Sequence, residues 1–124
     1  MAKLRHIAMS VPDMESAAAF YEKTFDLERV KQTKRRIYLS DGTINLTLMP
    51  SSDLIGDERE GYVGLHHLGF VVDNTEGSEK KLADNGGKIV DTPKDYVGVN
   101  AERKYWDPNG VMVDISETYW IGSK

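Results

Sequence analysis

The chain has 124 residues, no cysteine, 16 basic and 20 acidic side chains and a formal net charge of -4 at pH 7. That length suits one domain able to bury roughly two thirds of its unfolded surface, so neither a disulfide nor a metal is needed merely to fold. The missing thiols exclude thiolate zinc sites and cysteine nucleophiles; the basic residues are dispersed, which leaves no electrostatic footprint for nucleic acid, and the chain lacks a run of roughly 20 apolar residues that could span a membrane. The expectation is a cytoplasmic protein whose partners are small molecules, with no nucleic acid and no membrane.

Leu4 to Val11 alternates, with His6, Ala8 and Ser10 on one face and Ile7, Met9 and Val11 on the other, which predicts a half-buried strand. Pro12-Asp13 breaks it, and Ala17, Phe20, Tyr21 and Thr24 recur at helical spacing through Met14 to Phe25, with Asp13 as the cap. Leu27 to Gln32 and Arg35 to Ser40 read as strands around the basic turn Lys34-Arg35-Arg36, and Asp41-Gly42 turns the chain into a strand from Ile44 to Met49. Residues 50–61, rich in Ser, Asp, Glu and Gly, suit a surface connection. The order then repeats: a strand from Leu65 to Val72, a helix from Thr75 to Asn85 stopped by Gly86-Gly87, strands over 88–90 and 100–106, and a turn at Asp107-Pro108-Asn109-Gly110 into Val111 to Glu117.

The repeat carries the chemistry. His6-Ile7-Ala8-Met9-Ser10-Val11 and His67-Leu68-Gly69-Phe70-Val71-Val72 open the two halves with a histidine at the same place. Each half closes on a strand with one polar face, Asn45 and Thr47 in the first and Asp114 and Ser116 in the second, opposite a wholly apolar face. The apolar faces should meet the helices, leaving His6, His67, Asn45 and Asp114 to line something concave. Two histidines at equivalent positions with a carboxylate on a matching face form a metal-binding set. By strand parity His66 points the other way and is excluded as a ligand, and Glu117 falls on the wrong face of its strand. Met49 and Met112 read as core or wall residues, because nothing else in the set is soft.

These segments, together with Ala18-Ala19-Phe20-Tyr21, Asn85-Gly86-Gly87 and the run from Trp106 to Ile115, resemble the vicinal oxygen chelate superfamily over about residues 3 to 119. That superfamily includes glyoxalases, epimerases, extradiol dioxygenases and bleomycin resistance proteins. The resemblance implies an α+β fold, in which two tandem βαβββ modules (about 3–50 and 63–119, linker 51–62) form a curved mixed sheet around a central cavity. Within a single domain spanning 1–124, it makes His6 and His67 the first-strand metal ligands and Asp114 the last-strand carboxylate. Asn45 falls where glyoxalase-like members place glutamate or glutamine, as a weak fourth ligand or a substrate contact. A homodimer is implied as well.

Two departures bear on the reaction. Asp114 is one carbon shorter than the usual glutamate, a loss of reach of roughly 1.5 Å, and Asn45 cannot act as a base. Three readings follow. The first is a glyoxalase-like lyase or isomerase, with Ni, Zn, Co or Mn stabilising an enolate and Asp114 as ligand, base or both. The second is an Fe(II) extradiol-type dioxygenase using the two-histidine, one-carboxylate set. The third is a metal-free drug- or metabolite-binding protein of the bleomycin-resistance kind, with Tyr38, Tyr105 and Trp106 as stacking walls. Specificity contacts should come from the loops over 50–61 and 91–99.

Overall fold

A computed structural model describes residues 1–52, 61–92 and 98–124. Its elements are β1 (Lys3–Val11), α1 (Met14–Phe25), β2 (Glu28–Gln32), β3 (Ile37–Ser40) and β4 (Asn45–Pro50), then β5 (Gly64–Val71), α2 (Thr75–Asp84), β6 (Lys88–Ile89), β7 (Arg103–Trp106) and β8 (Met112–Ser116). The expected βαβββ order thus occurs twice in an α+β fold. The strands form one eight-stranded mixed sheet in the order β2-β3-β4-β1-β5-β8-β7-β6. β1 and β5 pair antiparallel at its centre, while β4 and β8 lie parallel to them on either side.

The local signals act as their chemistry requires. Asp13 caps α1 by accepting a hydrogen bond from the Ser16 backbone N–H at 3.1 Å, and Asn74 does the same for α2 through Gly77 at 2.6 Å. The apolar sides of β3 and β4 pack Ile37, Leu39 and Leu48 with Val11 and with Ala18 of α1. In the second half Val72, Tyr105 and Ile115 form a smaller cluster, with Leu82 of α2 against it. α2 has no buried residue, as its thin apolar stripe predicts. The strand expected from residue 100 starts later, because a 3-10 turn at Val99–Ala101 holds Asn100 and Ala101 at left-handed φ of 64° and 53°. Among the described residues no helix is long and apolar enough to cross a membrane.

The central ladder contains two bulges. His6 pairs with Gly69 whereas Leu4 pairs with Phe70, and Ala8 pairs with His67 whereas Met9 pairs with Leu65. The extra residues are Arg5 and His66, each immediately before the repeated histidine. A bulge places two successive residues against one partner and re-aims the side chain. The duplication therefore extends to the backbone irregularity itself.

Candidate metal centre

Strand register builds the site. Ser40 pairs with Asn45, Asn45 with His6, His6 with Gly69, Gly69 with Asp114 and Asp114 with Lys104, a single row running across the sheet. In the next row on the same face, two residues along each strand, Tyr38, Thr47, Ala8, His67, Met112 and Trp106 are paired in the same way. Equating His6 with His67 thus matches Asp114 to Thr47, and Asn45 to Met112. The polar faces of the two closing strands had suggested Asn45 as the counterpart of Asp114; the parallel ladders place it two residues away.

The ligand atoms of His6, His67 and Asp114 lie within 4.8 Å of one another, and all three residues are buried. Nε2 of His67 is 3.1 Å from Nε2 of His6 and 3.1 Å from Oδ2 of Asp114. Adjacent ligands on a six-coordinate ion with bonds of about 2.1 Å are separated by about 3 Å, which both His67 distances match, while the third pair, within 4.8 Å, would draw in to about 4 Å around a divalent cation. Burial, reinforced by the neighbouring His67, pushes the His6 pKa down to about 3. Burial likewise lowers that of His67. Both imidazoles are consequently neutral at pH 7, the form that ligates metals.

Each ring is held from behind. Asn45 donates through Nδ2 to the Ile121 carbonyl at 2.9 Å, which fixes the amide with Oδ1 towards His6. Oδ1 lies 2.7 Å from Nδ1 of His6 and also accepts from Thr47 Oγ1 at 2.6 Å. His6 must therefore carry its proton on Nδ1 and keep a lone pair on Nε2, the arrangement that carboxylate or amide partners impose on ligating histidines. Asn45 thus sits on the Nδ1 side of His6, away from the atoms that converge.

His66 does not point away from the site. Its bulge brings Nδ1 to 2.6 Å from Nδ1 of His67, and the residue is buried. The alternation of a regular strand, on which the opposite expectation rested, fails at this one position. His66 nevertheless stands behind His67 and lies outside the converging group. Glu117 does lie elsewhere, accepting from the Thr75 N–H at the start of α2 at 2.8 Å.

Three residues that alternation and repeat did not single out complete the centre. Lys104 donates to both oxygens of Asp114, at 3.0 and 2.9 Å. Glu102 lies 3.6 Å from the Lys104 ammonium and accepts from Nε1 of Trp120 at 2.9 Å. Trp120 in turn stacks flat on His6, with centroids 4.7 Å apart and planes 4° from parallel. Burial of Asp114 alone would raise its pKa, but the hydrogen bond with His67 and the Lys104 charge outweigh this and hold it below the usual carboxylate range. Glu102 is pushed up to about 7, by burial first and by the Asp114 charge second. Glu102 and Lys104 alternate with Arg103 and Tyr105, so strand parity could have flagged them once the face of β7 was known. Tyr105 belongs to the helix-side cluster and donates to Glu79 at 2.6 Å; it is not a wall of the concave face. Tyr38 and Trp106 share the His67 row. The loop residues 53–60 and 93–97 lie outside the described residues.

The profile of the Glyoxalase/Bleomycin resistance protein/Dioxygenase superfamily matches residues 3–115. An ethylmalonyl-CoA/methylmalonyl-CoA epimerase of Cereibacter sphaeroides is 25% identical over 93% of this chain and 97% of its own. A probable trivalent organoarsenical cleaving enzyme of Bacillus subtilis is 28% identical over 87% and 75%. Among solved structures, a hypothetical protein from Bacillus halodurans superposes with a TM-score of 0.74 at 18% identity, covering 96% of both chains. A methylmalonyl-CoA epimerase bound to methylmalonyl-CoA gives 0.70 at 17% identity, covering 93% of both.

Proposed function

The chain belongs to the Glyoxalase/Bleomycin resistance protein/Dioxygenase superfamily, and on that premise we propose that it is a metal-dependent lyase or isomerase acting on a small substrate with neighbouring oxygens. The observation that carries this reading is the convergence of two neutral imidazole Nε2 atoms and one carboxylate within 4.8 Å. A metal-free binding pocket has no need of such a set. A divalent ion held there supplies Lewis-acid stabilisation of negative charge developing on two adjacent substrate oxygens.

The protein's own groups divide the remaining work. His6, its Nδ1–H held by Asn45, presents its Nε2 lone pair in a fixed geometry, and His67 would present its own with the proton carried on Nδ1, towards His66. Asp114 was expected to act as ligand, base or both, but with Lys104 on both its oxygens it is a weak base. Moving a proton at neutral pH suits the neighbouring Glu102 carboxyl better, since its pKa lies near 7. That supplies the second carboxylate which Asn45 could not provide. The epimerase and organoarsenical-cleaving relatives agree with isomerase or lyase chemistry at this level. Because His66 backs His67 and does not face its Nε2, it is poorly placed for the acid-base role an extradiol dioxygenase asks of a spare histidine.

Calorimetric titration with Ni, Co, Zn and Mn should show one site per chain in the wild type and none in His67→Ala. Exchange of the carbon-bound proton of methylmalonyl-CoA with deuterated solvent is a direct probe of the chemistry. Stoichiometric iron with oxygen-dependent catechol cleavage would establish the dioxygenase instead, and failure to bind any of these metals would leave the metal-free binding protein.

A further inference from the structure

Lys104 is a buried cation in a site that is expected to bind another cation. Its side chain is 6% exposed, and that of Asp114, which it grips through both oxygens, is 0% exposed. A lysine stem of this length ordinarily carries its ammonium out to water. Here the ammonium turns inward, into the row that contains His6 and Asp114.

The charge count has a direct chemical consequence. Among these described residues, with both histidines neutral, Asp114 and Lys104 cancel, so a divalent ion would bring their sum to about +2, or about +1 if Glu102 is ionised, and the Arg36 charge felt at His67 has the same sign. A two-histidine, one-carboxylate set without the lysine would reach these values less one. Net charge in a desolvated site is strongly unfavourable unless a counter-charge enters with it. A neutral pair of carbonyl oxygens brings none, whereas a carboxylate with an adjacent oxygen donor brings one or two. The ammonium is already placed beside the carboxylate ligand, where its field adds to that of the metal.

We propose that Lys104 makes the His6–His67–Asp114 centre selective for anionic chelating ligands, of which a carboxylate bearing a neighbouring oxygen donor is the simplest class. The inference rests on the metal reading above and adds a substrate class to it. The same ammonium competes with the metal for Asp114, so removing it should tighten metal binding while weakening anion binding.

The test uses the full chain loaded with Co(II), whose visible spectrum reports its ligands, and oxalate as the anionic probe. Lys104→Met should bind Co(II) about tenfold tighter than the wild type and oxalate, at the loaded site, about tenfold weaker, with Lys104→Arg close to the wild type. If Lys104→Met does not fold, Lys104→Gln removes the charge and keeps a donor for Asp114, and the same shifts are expected. Unchanged oxalate affinity in a neutral variant that still loads Co(II) overturns the role of Lys104 alone. A wild type that takes up no Co(II) overturns the metal reading and this inference with it, so the two failures are separated by the order of the titrations.

Discussion

Gly69 stands directly opposite His6 on the central ladder, and replacing it with alanine tests how tightly the centre is built. A Cβ there would lie 2.7 Å from Cβ of His6, 2.8 Å from its Cδ2 and 2.9 Å from Cη2 of Trp120. Carbon atoms prefer about 3.5–4.0 Å, so each neighbour would have to retreat by most of an ångström. None of them is free to do so: Cβ of His6 is fixed by the backbone, its ring is tied to Asn45, and the Trp120 ring is held by Glu102. Overpacking a core costs about 1–3 kcal/mol, and losing the His6–Asn45 hydrogen bond adds about 1 kcal/mol. Reduced freedom of the unfolded chain returns about 0.4–1 kcal/mol, which leaves a net loss of about 1–3.5 kcal/mol. Urea unfolding followed by tryptophan fluorescence should show the midpoint falling by about 0.5–2 M. Gly42→Ala is the control, since nothing lies within 4 Å of its Cβ position and its φ is +96°; the cost there is backbone strain of about 1–2 kcal/mol. Only Gly69→Ala should also weaken metal binding. A Gly69→Ala protein within about 0.5 kcal/mol of the wild type would refute the close-packed account of His6.

Asn45→Ala removes the acceptor from Nδ1 of His6 and should lower divalent-metal affinity by about 10–100-fold by calorimetry, with Asn45→Asp retaining most of it; equal affinity in Asn45→Ala would mean that His6 needs no orienting partner. Stability should depend on pH in two regimes. The folded His6 pKa of about 3 lies below its unfolded value of 6.5, so its contribution is complete above pH 6.5 and is lost as the unfolded chain takes up the proton that the folded chain refuses. Glu102 runs the other way, because a folded pKa of about 7 against 4.5 unfolded favours folding at low pH and ceases to do so as pH rises from 4.5 to 7. Unfolding free energies should therefore fall gently from pH 6.5 to 4.5 and more steeply below, at up to about 1.4 kcal/mol per unit for each histidine involved. Glu102→Gln should steepen the upper regime, and a wild type that gains stability between pH 6 and pH 4 would contradict the His6 assignment.

What could be read in advance was whatever the chain encodes locally. The Asp13 cap, the alternation of β1 and the duplicated histidine motif each depend on a few neighbouring residues, and each appears in the structure as expected. The misplacements share one cause, which is strand register. A bulge at His66 turns one side chain through the sheet without leaving a mark in the alternation, and the counterpart of Asp114 is set by how β4 and β8 lie against the central pair, not by which residues of those strands are polar. Lys104 and Glu102 were hidden because a lysine on a short strand and a glutamate just before it look like solvated surface until that face is known to be concave. Trp120 lies beyond the last strand, where no periodicity applies, and only its stacking on His6 gives it meaning.

The antiparallel seam between β1 and β5 has a thermodynamic consequence. One imidazole stands on each side of it, so an ion held by both is a cross-link between the two halves of the duplication. Any free energy gained by binding is then added to the cohesion of the halves, about 2.7 kcal/mol when the free ion is at 100 times its dissociation constant. The join between the two repeated halves and the candidate metal centre are the same few ångströms of sheet, and a substitution that loosens one should loosen the other.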